Sequence, residues 1–376
     1  MEKKKTLPSL PEELIIQILL ILPVKSLVRF KCVCKSWFSL ISDPHFANSH
    51  FQLSTATPTR RILFITQSSY VETESIDVET SLNSDFSSTL LYLNFMYSES
   101  GYDIQIKGSC RGFILLHGYY NIYLWNPSTG LHKKLPLSPY DGCKSNKNYF
   151  YGFGYDHSTD DYLLVSLSRD TRFYDSKLAN TKHLEFFSLR ANTWKEIEGD
   201  FPYCNASDNP KTVGSLFNGA IHWFAFRHDL RYDVIVAFDL MERKLLEMCL
   251  PDDGDFESKN CDLWVFGEFL SLWAMDNHAT EIWVMKEYKV HSSWTKILVL
   301  SNDGNGISTD YFSLICSTKS GDIIGSDDGK ILAKYNDRGE LIEHISYSYR
   351  PQDECQVAMY TESLLSLPSP SNNEQA

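Results

Sequence analysis

The spacing of apolar residues divides the chain into two parts with different periods. Up to about residue 51 the apolar residues recur three and four positions apart, which is the spacing of one face of a helix. From about residue 60 they alternate with polar residues and are interrupted by Gly, Asn, Asp and Pro, as in strands joined by turns. The sequence therefore predicts a small helical unit followed by a β-rich region.

The first part predicts three short helices. The first begins near Pro11, because proline fits the first turn of a helix, and it ends at Pro23. Ser9 and Glu12 have the spacing of a capping box, and the third helix ends before Asp43-Pro44. The apolar positions of the three helices are, in order, Leu14, Ile15, Ile18, Leu19 and Leu22, then Leu27, Val28 and Phe30, then Val33, Trp37, Leu40 and Ile41.

This helical unit carries more apolar surface than it can bury by itself, since units near or below ~40 residues rarely close a core alone. Two interpretations remain open. The surplus surface faces a partner protein, or the helices pack against the rest of the same chain.

The β-rich part contains a repeat. Each copy has an apolar strand that ends near an aromatic residue, a tight polar turn and a second strand, and the copies begin about 50 to 60 residues apart, near the period of a propeller blade. Two further strands that turn tightly on each other precede each later copy, as at Asn218-Gly219. This pattern predicts four-stranded blades near 103–136, 149–198, 211–251, 262–300 and 310–346.

A sixth blade needs strands from both ends of this region. Strands at 61–95 lack an inner strand, and the alternating stretch 356–366 supplies one. We therefore predict a propeller of about six blades whose first and last strands share a blade. The stretch 51–110 leaves a count of seven open, and a β-sandwich with irregular hairpins is the alternative architecture.

The charge and the apolar runs restrict the function. The net charge of −13 argues against a nucleic-acid binder, which would present a basic face. No apolar run reaches the ~20 residues of a membrane span, and Glu12 and Glu13 interrupt the segment that most resembles a signal peptide. We expect a cytoplasmic or nuclear protein that binds no nucleic acid and no membrane.

Motifs for catalysis or metal binding are missing from the sequence. It has no phosphate-binding glycine loop, HExxH, CxxC or Gly-x-Ser-x-Gly. The nine cysteines are expected to stay reduced, and Cys34 is interpreted as a small core residue. Asp156-His157 and Asp160-Asp161 could bind a cation, but these four residues fall in a tight turn, and turn geometry explains their polar side chains. We predict that the protein is not an enzyme and has no cofactor and no metal site.

The helical part resembles the F-box of plant F-box proteins. The resemblance rests on many positions in register: Leu10-Pro11, Leu14, Ile18-Leu19, Leu22-Pro23, Lys25-Ser26-Leu27, Arg29-Phe30, Val33, Cys34-Lys35-Ser36-Trp37 and Leu40-Ile41. It implies docking on a Skp-type adaptor, and through it on a cullin-RING scaffold that transfers ubiquitin. The residues expected to contact the adaptor are Leu10, Pro11, Leu14, Ile18, Leu22, Pro23, Leu27, Val33 and Trp37.

The β-rich part is similar to the F-box-associated domain of the same proteins, often described as kelch-like. The motifs are Gly108-Ser109-Cys110-Arg111-Gly112-Phe113, Trp125-Asn126-Pro127-Ser128-Thr129-Gly130, Gly152-Phe153-Gly154-Tyr155-Asp156 and the stretch 360–367. The kelch double glycine is missing, so the term describes only the shape. The predicted fold class is α+β multidomain, with a small three-helix F-box at 7–51 followed by an all-β propeller-like domain at 60–367.

The lengths of the connections distinguish the two faces of the propeller. Turns between the first and second and between the third and fourth strands of a blade form one face, here called the short-turn face. The remaining connections form the long-loop face, and most of the long ones fall there, at 137–148, 168–182, 199–210, 227–233, 252–261 and 299–310. The chain enters the ring at residue 60 from the short-turn face, so we expect the F-box opposite the long loops.

We predict that the long-loop face binds the target. The candidates are charged and aromatic loop residues: Arg169, Arg172, Tyr174, Tyr203, Arg227, His228, Arg231 and Tyr232. Arg227, His228 and Arg231 form a basic spot that suggests an acidic or phosphorylated patch on the target.

Two classes of function follow. The first is the substrate receptor of a Skp-cullin-F-box ubiquitin ligase, with an unknown target protein. The second is a propeller that binds a small molecule or glycan, or an adaptor-bound scaffold that degrades nothing. Nothing in the sequence identifies the target or the biological pathway.

Overall fold

The computed structural model describes most of the chain. The residues described are 10–54, 58–67, 71–82, 88–96, 104–118, 121–140, 150–169, 182–205, 213–252, 256, 261–275, 279–301, 312–327, 330–346 and 354–368.

Four helices form the N-terminal unit in the described part of the chain. They are α1 (Glu12–Leu20), α2 (Val24–Phe30), α3 (Lys35–Ile41) and α4 (Pro44–Ser54). Helix α1 begins directly after Pro11, as predicted, and its two N-terminal glutamates lie where the helix dipole favours negative charge. Ser9 of the predicted capping box lies outside the described residues.

Helix α4 corrects the prediction of three helices. The sequence pattern predicts that the last helix ends before Asp43-Pro44, whereas these two residues begin a fourth helix. The Asp43 carboxylate accepts hydrogen bonds from the backbone N–H groups of His45 and Phe46, at 2.8 and 3.1 Å. Pro44 occupies the first helical position, where no N–H is required. The proline therefore starts a helix here.

The first three blades follow one another along the chain. Blade 1 contains β1 (Arg60–Gln67), β2 (Val71–Asp77) and β3 (Thr89–Leu91). Blade 2 contains β4 (Gln105–Cys110), β5 (Phe113–His117), β6 (Ile122–Trp125) and β7 (His132–Leu135). Blade 3 contains β8 (Phe150–Asp156), β9 (Asp161–Arg169), β10 (Lys182–Ser188) and β11 (Thr193–Ile197).

Blade 4 has a divided inner strand, which the sequence analysis did not predict. Strands β12 (Tyr203–Asn205) and β13 (Ser215–Phe217) pair with the two ends of β14 (Ala220–Arg227). The blade continues with β15 (Tyr232–Asp239) and β16 (Lys244–Met248).

The last two blades are regular four-stranded sheets. Blade 5 contains β17 (Cys261–Phe266), β18 (Phe269–Met275), β19 (Ala279–Met285) and β20 (Trp294–Ser301). Blade 6 contains β21 (Phe312–Ser317), β22 (Ile323–Asp327), β23 (Ile331–Tyr335) and β24 (Leu341–Ser346).

A C-terminal strand closes the ring. Strand β25 (Glu354–Thr361) pairs antiparallel with β1, from Arg60 opposite Thr361 to Gln67 opposite Glu354. The described residues therefore form six blades, and the first and last strands share blade 1. Both predictions are confirmed.

Neighbouring blades pack through side chains from facing sheets. Between blades 3 and 4, Ile221 and Trp223 of β14 lie against the backbone of β8, and the Trp223 indole N–H donates to the carbonyl oxygen of Tyr151 at 2.8 Å. A Cβ atom at Gly152 would lie 2.4 Å from a methyl carbon of Ile221. The glycine in this motif is therefore required by close packing between blades.

Candidate functional site

The inner face of the helical unit packs on the short-turn face of the propeller. One buried cluster contains Leu19, Leu27 and Phe46 from the helices together with Phe113 and Leu364 from the β domain. The interpretation that the helices pack against the same chain is therefore correct for this inner face. It also agrees with the expected attachment opposite the long loops.

Arg111 connects the two domains. It lies in the β4–β5 turn with a positive φ of 50°. Its guanidinium carbon is 4.8 Å from the ring centre of Phe51 in α4 and 4.0 Å from that of Tyr155 in blade 3. One guanidinium N–H also donates to the Asn48 side-chain oxygen at 3.3 Å. The position of α4 relative to blades 2 and 3 is thus held by stacked charge and aromatic contacts.

Three motif stretches meet beneath the helices. The buried Asn126 amide donates to the carbonyl oxygens of Ser363 and Leu365, at 3.1 and 3.3 Å. The Ser363 hydroxyl donates to the carbonyl oxygen of Arg111 at 3.0 Å. Gly112 allows this approach, because a Cβ atom there would lie 2.2 Å from the Ser363 hydroxyl oxygen. The motifs therefore build the platform on which the helices rest.

The outer face of the helical unit is apolar and exposed. Leu10, Leu14, Ile18 and Ile21 lie three or four residues apart and have exposed fractions of 60, 44, 47 and 78%. These four residues, here called the α1 stripe, occupy one side of α1 and its ends. An exposed apolar stripe of this kind is typical of a surface that binds another protein.

The predicted adaptor residues divide by burial. Leu10, Pro11, Leu14, Ile18, Pro23 and Val33 are exposed, and Leu22 and Trp37 are half-buried. Leu27 is fully buried in the cluster that joins the two domains. Its assignment to the adaptor contact is therefore wrong, because α2 directs this side chain toward the propeller.

Two exposed apolar residues at α1 and α3 were missing from the predicted set. Ile21 lies about one turn beyond Ile18, the last predicted contact in α1, and Phe38 is 57% exposed on α3. The sequence contains a signal for each. Ile21 is seven residues after Leu14, and Phe38 directly follows Trp37, so the two aromatic rings must point about 100° apart on a helix.

Cys34 is exposed, which corrects its interpretation as a core residue. It is the residue before α3, and its sulfur lies 3.1 Å from the Ser36 hydroxyl oxygen. This hydrogen bond, together with that to the backbone of Trp37, lowers the pKa of the Cys34 thiol.

The long-loop face carries a polar cluster on blade 4. The Arg227 guanidinium donates to a Glu247 carboxylate oxygen at 2.6 Å and to Asp229 at 3.1 Å. The Tyr203 hydroxyl donates to Glu247, and Tyr232 lies 3.4 Å from the other oxygen of that carboxylate. Burial and the bond to Glu247 raise the pKa of Tyr203. Three predicted target contacts thus converge on one acid that the sequence analysis did not select.

This cluster revises the predicted basic spot. The positive charge of Arg227 is balanced by Asp229 and Glu247, so it is not available as expected. His228 and Arg231 are exposed in the β14–β15 turn, with Leu230 between them at 58% exposure. The surface offered by this turn is therefore a leucine with Arg231 after it and His228 two residues before it, while the intervening Asp229 pairs with Arg227.

The three remaining candidates belong to the connection that follows blade 3's second strand. The backbone of Arg169 ends β9, and its side chain is outside the described atoms. Arg172 and Tyr174 fall outside the described residues, as do most residues of the connections 168–182 and 299–310.

The acidic turn after β8 is held by hydrogen bonds. Burial alone would raise the pKa of Asp156, but bonds from Ser158, Thr159 and Arg243 outweigh it and lower that pKa. In the part of the chain that the structure describes, no group of three or more His, Cys, Asp or Glu side chains could hold a metal ion. The described helices include none long and apolar enough to cross a membrane.

Comparison with known families accounts for both domains. Residues 7–48 match the F-box domain, and residues 61–330 match the F-box associated beta propeller domain. The chain belongs to the plant F-box proteins with a C-terminal F-box associated propeller. An F-box/kelch-repeat protein of Arabidopsis thaliana is 30% identical over 301 residues, which cover 77% of this chain and 79% of that protein. The Arabidopsis F-box protein CPR1 is 26% identical over 347 residues, covering 87% and 80%.

Solved structures show a weaker likeness to this F-box protein. TolB from Acinetobacter baumannii has a TM-score of 0.46 and 10% sequence identity, with 85% of this chain and 72% of that chain covered.

An F-box implies binding to a Skp-type adaptor, and an F-box joined to a propeller is the domain composition of an SCF-type substrate receptor. Proteins of this family are typically receptors rather than enzymes.

Proposed function

We propose that this F-box protein binds a Skp-type adaptor through the α1 stripe and holds a target protein on the opposite, long-loop face of the propeller. The observation that carries the proposal is the two-sided burial of the F-box. Its inner face is buried against the short-turn face, while Leu14, Ile18 and Ile21 on the outer side remain exposed.

The α1 stripe offers apolar surface that an adaptor can cover. Burying a fully exposed leucine or isoleucine contributes roughly 1.5–3 kcal/mol, and Leu14 and Ile18, which are 44 and 47% exposed, contribute correspondingly less. Val33 and Phe38 add exposed apolar surface on the same small domain, at 61 and 57%. Pro11, Leu22, Pro23 and Trp37 remain candidates at the margin of this contact.

The adaptor contact can be tested with matched charge substitutions. The double variant Leu14→Asp, Ile18→Asp places two carboxylates in the stripe without disturbing a buried side chain. Ile342→Asp is the control, because Ile342 in blade 6 is 46% exposed, close to the 47% of Ile18. We expect purified Skp-type adaptor to bind the wild type and the control with similar affinity. Its affinity for the double variant should be lower by about a hundredfold or more. Equal binding by all three proteins would contradict the assignment.

For target recognition we propose the β14–β15 turn. Leu230 supplies an apolar anchor, and His228 and Arg231 favour an acidic or phosphorylated neighbour. Arg227 and Glu247 fix the base of the turn. A short hairpin held in this way loses little conformational entropy on binding, which favours affinity.

The mechanism that follows is proximity. The adaptor places the protein on a cullin-RING scaffold in the cytoplasm or nucleus, and the propeller raises the local concentration of target lysines near the ubiquitin-loaded enzyme. No residue of this chain then needs to take part in bond chemistry.

The target contact is tested in plant cells with the double variant Leu230→Asp, Arg231→Glu. Met241→Asp is the control, because Met241 is 65% exposed in a turn on the opposite face of the same blade. Proteins that associate with the wild type and the control and become ubiquitinated should neither associate with the double variant nor become ubiquitinated when it is expressed. Adaptor binding should stay unchanged. Association without ubiquitination would instead support a scaffold that degrades nothing.

A further inference from the structure

A cavity of about 220 Å³ lies at the junction between the F-box and the propeller. Lys25, Val28 and Arg29 of α2 line one side. The other side is formed by blade 1, the β6–β7 turn and the residue that follows β25, and it includes Arg61, Ser75, Thr89, Ser128 and Glu362. Both domains therefore contribute walls to the same space.

The walls of this cavity are strongly basic for an acidic protein. Three positive side chains, Lys25, Arg29 and Arg61, face one carboxylate, Glu362, in a chain with a net charge of −13. Lys25 and Arg29 are four residues apart on α2, and like charges at this spacing repel each other. An anion between the three cations would turn this repulsion into attraction.

Arg61 is fixed in position and its charge is only partly balanced. Its Nε donates to the Ser75 hydroxyl and one Nη to the Ser75 carbonyl oxygen, each at 2.8 Å. The carboxylate of Glu362 is 3.7 Å from the other Nη, beyond hydrogen-bond distance. The guanidinium is thus held rigidly at the wall, with 13% of the side chain exposed.

The two cations of α2 are available to a ligand. Within the described residues, no side chain hydrogen-bonds the ends of Lys25 or Arg29, and both residues are exposed. Hydroxyl groups of Thr89 and Ser128 lie on the opposite wall and can donate hydrogen bonds to oxygen. This combination of arginine, lysine and hydroxyl groups is suited to phosphate oxygens.

We propose that this cavity binds a small phosphate-bearing molecule that bridges the F-box and the propeller. The volume supports a small ligand, since sites for drug-sized molecules occupy roughly 300–1,000 Å³. A bound phosphate would contact α2 on one side and Arg61 on the other, so it would fix the angle at which the propeller presents a target. The proposal does not depend on which protein that target is.

Isothermal titration calorimetry of the full chain with inorganic pyrophosphate, in low-salt buffer, tests the proposal. We expect saturable binding to the wild type and a higher melting temperature with ligand. Lys25→Gln and Arg29→Gln should each weaken binding about tenfold. Glu362→Gln should tighten it, because the one opposing negative charge is removed. Lys35→Gln, which removes a positive charge from the F-box outside the cavity, should leave the affinity unchanged.

The variants also show whether binding is specific to this cavity. Absence of saturable binding, or equal affinities for all of these proteins, would overturn the proposal. A phosphoserine tetrapeptide that binds with the expected variant pattern, while pyrophosphate does not, would replace the small molecule with a phosphorylated protein segment. Adaptor binding should be retained by Lys25→Gln and Arg29→Gln, which confirms that the F-box remains folded.

Discussion

The Arg111 guanidinium lies 4.8 Å from the ring centre of Phe51, so a turn of the second blade stacks on the last helix of the F-box. Phe46 and Ala47 of α4 add apolar packing in the buried cluster that joins the two domains. The strength of these contacts therefore affects how firmly the adaptor-binding domain is held.

Replacing Arg111 by Ala should loosen the junction. The variant loses the stacking on Phe51 and Tyr155 and the bond to Asn48, and we expect a loss of about 1–2 kcal/mol in the free energy of unfolding. Arg231→Ala is a matched control, because Arg231 has a similar positive φ of 59° but is exposed on the other face. Urea denaturation measures both, and equal losses would show that the contacts of Arg111 with Phe51, Tyr155 and Asn48 add no stability.

Gly112→Ala should be more damaging than an ordinary substitution at a left-handed glycine. Its Cβ would lie 2.2 Å from the Ser363 hydroxyl oxygen and 2.8 Å from the Thr361 carbonyl oxygen. We expect a loss of about 3 kcal/mol or more, from strain and overpacking together. Gly219→Ala has a comparable φ of 73° with no atom within 4 Å, so it should cost only about 1–2 kcal/mol. Similar melting temperatures for the two variants would contradict the close approach.

Substitutions at Leu19 and Ile21, near the end of α1, should separate an effect on folding from the proposed effect on adaptor binding. Leu19 is 1% exposed and Ile21 is 78% exposed. Leu19→Ala should cost about 2–5 kcal/mol of stability, whereas Ile21→Ala should change stability by less than about 0.5 kcal/mol and weaken adaptor binding. Denaturation and an adaptor titration on the same preparations check both. The assignment of Ile21 to the adaptor contact fails if its affinity is that of the wild type.

His222 should make the propeller less stable in acid. Burial lowers its pKa to about 4, from an ordinary value of 6.5, and Nε2 lies 2.9 Å from the Tyr288 hydroxyl oxygen. Between pH 6.5 and 4, His222 is therefore mostly protonated in the unfolded chain and mostly neutral in the folded chain. Above pH 6.5, the free energy of unfolding therefore does not change with the titration of His222. It falls as the pH drops toward 4, by about 2 kcal/mol at pH 5.

The variant His222→Gln isolates this effect. Its unfolding free energy should fall less between pH 7.5 and 5 than that of the wild type, whatever its absolute stability. His45→Gln, at an exposed position in the F-box, should show the same change of unfolding free energy with pH as the wild type. The same change in all three proteins would show that His222 does not titrate in this way.

The propeller could be predicted from sequence because its evidence is local. Alternation, hairpin turns such as Asn218-Gly219 and the repeat spacing each depend on a few adjacent residues, and together they give six blades and the shared blade 1. Helix α4 was missed because proline both ends and begins helices. Only its place directly after a capping Asp43 distinguishes the two cases.

The site was harder to predict because it depends on contacts between distant residues. Leu27 and Leu14 are both apolar positions of short helices, and their period does not show which faces the propeller and which faces solvent. The balance of charge at Arg227 depends on Glu247, which lies two strands away across β15. Such pairs follow from strand register, and hydrophobic spacing does not specify them.

The strand that closes the ring also leads into the last part of the platform beneath the F-box. The F-box is made first, but it rests on Ser363, Leu364 and Leu365, which leave the ribosome after all six blades have been started. A truncated chain that ends before residue 354 lacks both the closing strand and this support. Blades 2 and 3 can support the F-box earlier, through Arg111 and Phe113, but its platform is complete only when the last strand of the propeller has been made.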